Sequence, residues 1–343
     1  MEKPLVTPRP LRAGDTIGVF TPSSPGYKFN NALFENGLSS LQKLGFKIRL
    51  GKLTEKRSAD GYRSGAGAER ADEFMSLIRN PQVNALMATI GGYNSNSMIP
   101  FLDFDEIRES RKVICGYSDV TSLHLSILKF SRLRTFYGPT VMCWFGEWPN
   151  GIEESSKWFL DAVMENGPKQ REIVRPSRWS NHKRSWTNDD WKNLPREWIE
   201  NDGWQVIQPG LVEAPIVAVN LNTFLSAAGT PYWPDLKGKI LLLEEMDAPL
   251  MKEERGLRQL QLMGAFDSIA GLIFSRPEVY SQDGSSNNLR DLIVEVIGNR
   301  NYPIIYDFDC GHTVPMITVP QEVRCRLDAT GKIARFSFLE SSF

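Results

Sequence analysis

The chain has 343 residues, 41% apolar and 24% charged, a composition typical of a folded protein with an apolar core. Its 40 basic and 41 acidic side chains leave a formal net charge of −1, so no bulk field draws it to nucleic acid or an anionic membrane. The length exceeds what one core usually supports and predicts two domains.

Met1-Glu2-Lys3-Pro4 lacks a signal-like apolar core, and no segment approaches the roughly 20 apolar residues needed to span a bilayer, so a cytoplasmic protein is expected. Cys115, Cys143, Cys310 and Cys325 are scattered, without a Cys-x-x-Cys pair. They signal neither a metal site nor a disulfide framework and read as reduced, buried thiols.

Thr16 to Phe20 reads as a buried strand ending in the turn cluster Thr21-Pro22-Ser23-Ser24-Pro25-Gly26. A helical pattern through Leu33, Phe34, Leu38, Leu41 and Leu44 stops at Gly45. Phe46 to Leu50 alternates like an edge or half-buried strand, and residues 68 to 79 supply a second helix. Ala85 to Ile90 is a third strand, running into Gly91-Gly92-Tyr93. The fourth strand, Val113 to Cys115, stops at Gly116, and a helical pattern follows through Leu123, Leu125, Ile127 and Leu128. This order predicts a parallel sheet covered by helices, with ligands outside the carboxyl ends of its strands.

Gly116-Tyr117-Ser118-Asp119 therefore sets a serine on a sharp strand-to-helix corner. Nucleophile elbows use that geometry, although their spacing is Gly-x-Ser-x-Gly, and a helix-capping serine is the plainer alternative. If this loop and Gly91-Gly92-Tyr93 flank a strand-order switch, the N–H groups of Gly92 and Asp119 can face one reacting oxygen. The glycine pair reads equally as a turn needing positive φ; it lacks the spacing and lysine of a phosphate loop.

A helix near residues 153 to 165 closes the first domain, residues 1–165. Residues 166–208 form a polar connector holding Trp179, Trp186, Trp191, Trp198 and Trp204, five of the nine tryptophans. Aromatic faces presented from polar loops can stack on a nucleobase; most of the five are expected instead to pin the connector to the body or to lie at a dimer surface. The second domain, residues 209–343, restarts with the strand Ile216 to Val219 and a short helix from Asn220. The strand Lys239 to Leu243 ends on Glu244 and Glu245. An amphipathic segment from Pro249 to Met263, a strand Gly271 to Phe274 and a helix through Leu289, Ile293 and Val296 follow. A strand Pro303 to Asp307 leads into Phe308-Asp309-Cys310-Gly311-His312-Thr313, and a hairpin turns at Thr330-Gly331. Two α/β domains with the site between them are expected.

A serine nucleophile needs a base, and the chain has three histidines. His124 lies six residues beyond Ser118 on the same predicted helix, about 240° around its axis, and reads as structural. His182 sits in the connector as a solvated residue or a ligand contact. His312 follows a strand and a glycine, which would hold an imidazole at a sheet edge. Glu244 can orient that imidazole and fix its tautomer, or serve as an ordinary ion-pair residue. Glu245 points to the opposite face if the strand continues, toward an ion pair or the surface.

Leu11-Arg12-Ala13-Gly14-Asp15-Thr16-Ile17, Ile90-Gly91-Gly92-Tyr93, Gly116-Tyr117-Ser118-Asp119, Leu243-Glu244-Glu245 and Cys310-Gly311-His312 together resemble the LD-carboxypeptidase family of serine peptidases. Asn94-Ser95-Asn96-Ser97, Asn220-Leu221-Asn222-Thr223 and Phe308 to Thr313 resemble its microcin C self-immunity branch.

The resemblance implies a Rossmann-like N-terminal parallel sheet with helices on both faces and a C-terminal α/β domain of swivelling type, with the active site at their interface. It implies a triad of Ser118, Glu244 and His312, oxyanion donors on the backbone of Gly92 and Asp119, and substrate contacts from Tyr93, Trp186 and Asn220, with Trp186 stacking on adenine. It implies no cofactor and no metal, a homodimer, and a small peptidyl- or aminoacyl-nucleotide cleaved at an amide through an acyl-enzyme. The alternatives are removal of terminal D-alanine from murein peptides and, from another class, a catalytically silent two-domain binding protein. Two features depart from the family pattern: Ala218-Val219-Asn220 replaces Gly-Gly-Asn, and Met246-Asp247-Ala248-Pro249 lacks a basic residue for a phosphate, leaving Lys252 or Arg255 to supply one.

Overall fold

The computed structural model describes residues 3–343. Its strands in chain order are β1 (Thr16–Phe20), β2 (Lys47–Leu50), β3 (Ala85–Ala88), β4 (Val113–Gly116), β5 (Phe136–Tyr137), β6 (Arg171–Glu172), β7 (Arg178–Trp179), β8 (Ile199–Glu200) and β9 (Gln205–Gln208). There follow β10 (Leu211–Asn220), β11 (Ile240–Glu244), β12 (Asp247–Pro249), β13 (Gly271–Ser275), β14 (Val279–Ser281), β15 (Ile304–Phe308), β16 (Val319–Pro320), β17 (Arg324–Asp328) and β18 (Arg335–Phe338).

The first sheet runs β16-β5-β4-β3-β1-β2. The pairs among β1 to β5 are parallel. Every residue of β3 and β4 is buried, as expected for strands covered by helices on both faces. One covering helix, Asn31–Lys43, is capped by Asn30, whose side chain accepts from Leu33 N–H at 2.8 Å; it buries Leu33, Phe34, Leu38 and Leu41. Strand order reverses between β1 and β3, so the two loops read as flanking the switch instead follow neighbouring strands β3 and β4, with only the glycine loop beside the switch.

The second sheet is mixed, in the order β6-β18-β17-β10-β11-β13-β15-β9. Its centre, β10-β11-β13-β15, is parallel, and antiparallel pairs flank it. The parallel register gathers four carboxyl ends at one edge, where Asn220 pairs across from Glu244. The expected hairpin is present as β17 and β18. Part of the connector is ordered in this sheet, because β9 pairs with β15.

The two α/β domains are not joined by the connector alone. β16, near the end of the chain, adds an antiparallel edge to the first sheet, with Val319 opposite Tyr137 and Pro320 opposite Phe136. One apolar cluster crosses the junction, joining Tyr117, Tyr137, Trp144 and Trp158 of the first domain to Ile216, Phe308 and Val319 of the second. Arg134, almost fully buried, donates to the carbonyls of Gln321 and Glu322 at 3.0 Å each. Burial of this shared surface fixes the relative placement of the two sheet edges. No helix among the described residues is long and apolar enough to cross a membrane.

Candidate active site

The corner after β4 is tight. Ser118 has φ of 61°, a left-handed conformation that is uncommon for a serine and carries strain. The next residues form one 3-10 turn, Ser118–Val120, before the helix Thr121–Ser126. Gly91 lies against this corner: a Cβ on it would stand 3.2 Å from Ser118 Oγ and 3.3 Å from the Asp119 nitrogen. Gly92, with φ of 149°, admits no side chain, because a Cβ there would come within 2.3 Å of Ser23 Oγ.

The Asp119 side chain clamps the glycine loop, accepting from the N–H groups of Asn94 at 3.0 Å and Ser95 at 2.9 Å. Buried Arg70 ties the same loop from below, donating to Asn94 Oδ1 at 2.7 Å and Ser97 Oγ at 2.6 Å. The segment that follows Gly92 is thus tied down by Asp119 and Arg70.

His312 and Glu244 meet across the edge of the second sheet. His312 Nδ1 lies 2.6 Å from Glu244 Oε2. Burial alone pushes the imidazole down, but Glu244, helped by Glu278 and Glu245, holds it above its ordinary value. Glu244 is buried, and its other oxygen accepts from Tyr137 Oη at 2.5 Å and Asn220 Nδ2 at 3.1 Å. Gly311 makes this approach possible: its φ is 155°, and a Cβ would fall 2.8 Å from Glu244 Oε2.

Ser118 and His312 line one cavity of about 670 Å³ between the domains, with Gly92, Tyr93, Trp186 and Asn220 also in its wall. The Tyr117 ring, next to the serine, stands 4.7 Å from the His312 ring. Tyr93 is 80% exposed at the rim. Asn220 reaches the cavity, but its side chain is occupied by the protein: Oδ1 caps the helix Leu221–Ser226 and Nδ2 donates to Glu244. The arrangement can support acyl transfer: a hydroxyl on a strained corner, an imidazole oriented by a carboxylate, and a loop with backbone donors beside them.

Several neighbours differ from the sequence reading. Glu245 makes the expected ion pair, 3.6 Å from Lys252 Nζ, but does not turn to the opposite face or the surface; β11 ends at Glu244, strand alternation stops, and Glu245 is buried in the cavity wall. Lys252 belongs to that wall and Arg255 does not. Lys183 also lines the cavity. His124 is structural, as expected: it is buried, with Nε2 2.9 Å from the Gly116 carbonyl oxygen and Nδ1 2.8 Å from Thr135 Oγ1, and burial pushes its pKa down to about 4. His182 lines the cavity and accepts from Glu197 N–H at 3.1 Å.

Most connector tryptophans are pins. Trp204 is 1% exposed and donates to Asp309 Oδ2 at 2.8 Å. Arg276 lies over Trp179, Arg178 lies over Trp198, and buried Trp191 meets Trp148 edge to face. Trp186 is only partly buried in the cavity wall, with its backbone carbonyl held by Asn30 Nδ2 at 2.9 Å. Sequence reasoning missed Tyr137, Arg70 and Glu278; Tyr137, in a two-residue strand, left no periodic signal.

The fold and cavity define a two-domain serine hydrolase. The LD-carboxypeptidase N-terminal domain matches residues 17–138 and the LD-carboxypeptidase C-terminal domain matches residues 213–327, so the chain belongs to the LD-carboxypeptidase family of serine peptidases. Among its relatives, a Vibrio cholerae protein that carries a carboxypeptidase name is 38% identical, over 93% of each chain. The microcin C7 self-immunity protein MccF of Escherichia coli is 36% identical over 94% of this chain and 93% of its own. The solved structure of MccF with aspartyl sulfamoyl adenosine matches with a TM-score of 0.92 at 34% identity, covering 98% of this chain and 99% of that one.

Proposed function

We propose that the protein hydrolyses the amide joining an aminoacyl or peptidyl group to a nucleotide-like leaving group, as a self-immunity or toxin-inactivating enzyme. The observation that carries this reading is the cavity faced by Ser118 of one domain, His312 of the other and Trp186 of the connector, with buried Glu244 behind the imidazole. MccF has been solved with aspartyl sulfamoyl adenosine and with glutamyl sulfamoyl guanosine, ligands of the proposed chemical class.

In this reading Ser118 Oγ attacks the acyl carbon while His312 Nε2 takes the hydroxyl proton. Glu244 accepts from Nδ1–H and so holds that tautomer. The carbonyl oxygen, now negative, is stabilised by the N–H groups of Gly92 and Asp119. Collapse breaks the C–N bond, and His312 returns the proton to the leaving nitrogen. Water, deprotonated by the same imidazole, then cleaves the Ser118 ester and releases the acid. Trp186 stacks on the base, Tyr93 closes the rim, and Asn220 supports Glu244 from the cavity wall. Lys183 and Lys252, which line the cavity beside Arg184 and Arg196, are the lysines placed to meet the linkage between acyl group and nucleoside. Residues 166–208 act as the substrate loop between domains of residues 1–165 and 209–343. A cytoplasmic homodimer is the setting taken from the family resemblance, and sedimentation equilibrium tests the dimer.

The deciding experiment incubates the protein with aspartyl sulfamoyl adenosine and, separately, with a murein tetrapeptide, and identifies the products by mass spectrometry. Release of free aspartate and sulfamoyl adenosine is expected. Turnover of the tetrapeptide alone would replace this reading with LD-carboxypeptidase action on murein.

A further inference from the structure

Glu244 is held by more than the imidazole it faces. Tyr137 is fully buried in the short strand β5, between the serine strand β4 and the returning strand β16. Its hydroxyl makes two bonds. It accepts from the backbone N–H of Ser118 at 3.0 Å and donates to Glu244 Oε1 at 2.5 Å. Burial first, and then the neighbouring Glu244, raise the phenol far above its ordinary value, so it stays protonated and remains a donor.

A continuous path therefore runs from the serine corner to the imidazole: Ser118 N–H to Tyr137 Oη, Tyr137 O–H to Glu244 Oε1, and Glu244 Oε2 to His312 Nδ1. It crosses between the domains, 107 residues apart in sequence at the phenol–carboxylate bond. Asn220 adds a second direct bond across the seam, its backbone N–H donating to Thr121 Oγ1 at 3.0 Å.

We propose that Tyr137 is a positioning residue which registers the nucleophile corner of one domain against the acid–base pair of the other and sets the basicity of His312 through Glu244; this rests on the hydrolase reading above. Two consequences follow from the geometry. The phenol accepts from the part-buried Ser118 N–H, a bond that helps hold the corner at its positive φ. The phenol also draws negative charge from Glu244. Without that bond the carboxylate acts more strongly on His312, the imidazolium is favoured, and the neutral base appears only at higher pH. The other charged or titratable groups facing this pair are Glu245 and Glu278 toward His312, and Cys310, Tyr117, Glu245 and Glu253 toward Glu244. Lys252 acts on Glu245, 3.6 Å away, and Lys183 and Arg196 act on Glu278. Tyr137 is the one among them that bonds both Glu244 and the serine backbone.

The test compares wild type, Tyr137→Phe, the full-length protein with 3-fluorotyrosine at position 137, and Ser118→Ala. Each is assayed with aspartyl sulfamoyl adenosine, or with the murein tetrapeptide if only that is turned over, from pH 5 to 9. Tyr137→Phe is expected to lower kcat by about 10- to 100-fold, leave KM within about twofold, and move the acid limb of kcat/KM to higher pH. The fluorinated phenol, a stronger donor in the same shape, is expected to move that limb to lower pH; if Tyr137→Phe does not fold, this shift alone decides. A loss of rate with an unmoved acid limb in both proteins would reduce Tyr137 to a packing residue and overturn the proposal. Wild-type kcat and profile in both, with Ser118→Ala inactive, would overturn it while leaving the hydrolase reading intact. Turnover by Ser118→Ala would instead overturn the hydrolase reading on which the proposal depends.

Discussion

Replacing Glu244 by glutamine tests the site at its most constrained atom. The change keeps the shape and removes the charge. The Oε1 position receives two donors, Tyr137 Oη at 2.5 Å and Asn220 Nδ2 at 3.1 Å, so the new amide must present its carbonyl there. Its NH2 group then falls at the Oε2 position, 2.6 Å from His312 Nδ1. A donor facing Nδ1 obliges that nitrogen to accept, which moves the imidazole proton to Nε2 and blocks it as a base. Loss of a charge-assisted bond alone costs about 1.5–3 kcal/mol. Locking the wrong tautomer brings the loss in kcat to about 10⁴-fold, or ~5 kcal/mol of barrier. With the anion gone, the strongest influence raising His312 is lost and its pKa falls from the raised wild-type position, so the acid limb of the residual activity moves to lower pH.

Stability carries the same sign. In the wild type His312 is raised in the fold, so the pair contributes stability that is fully present below about pH 6.5 and is lost as pH rises through the folded value. The Tm gap between wild type and Glu244→Gln should therefore be wider at pH 5.5 than at pH 8.5. The assay is a pH–rate profile on a substrate that the wild type turns over, with thermal unfolding in parallel. More than a tenth of wild-type kcat together with an unmoved acid limb would refute the reasoning.

Three further substitutions probe separate parts of the structure. Trp186→Ala should weaken nucleotide-linked substrates by about 1–3 kcal/mol, read in KM, and leave a murein peptide unchanged; equal effects on both would remove the stacking role. Gly311→Ala sets a Cβ 2.8 Å from Glu244 Oε2 at a φ of 155°, so kcat should fall at least tenfold and Tm should drop, whereas wild-type activity would show that the His312 loop tolerates displacement. Arg276→Ala strips Asp309 of its buried cation while Trp204 and Asn201 still point at it, an expected loss of about 3–5 kcal/mol in urea unfolding; a loss under 1 kcal/mol would mean that water reaches the carboxylate.

Much of the framework is legible in the chain because local patterns act locally. Buried apolar runs announce β1, β3, β4, β11, β13 and β15, and helix periodicity with a stop at Gly45 announces Asn31–Lys43. The corner at Ser118 and the strand end at Glu244 follow from where those runs stop. His312 is found because so few histidines compete for the role. A parallel sheet must then carry its loops at one edge, which brings the residues after β3 and β4 together.

Other features depend on which segments meet, and no local pattern records that. β5 and β16 are two residues each; β5 is defined by pairing with β4 and β16, and β16 by pairing with β5 across some 180 residues of chain. Glu245 follows alternation on paper, but β11 ends one residue earlier and the rule no longer applies to it. The tryptophans of the connector look alike in sequence, and only the structure separates Trp179, Trp198 and Trp204, held by partners away from the cavity lining, from Trp186 and Trp191, which both line it, Trp191 buried against Trp148. Residue types and strand order thus determined the ingredients of the site. Docking of the two sheets decided its assembly, because Tyr137 can bond both the serine corner and Glu244 only when burial of the shared apolar seam holds those two edges within hydrogen-bond reach.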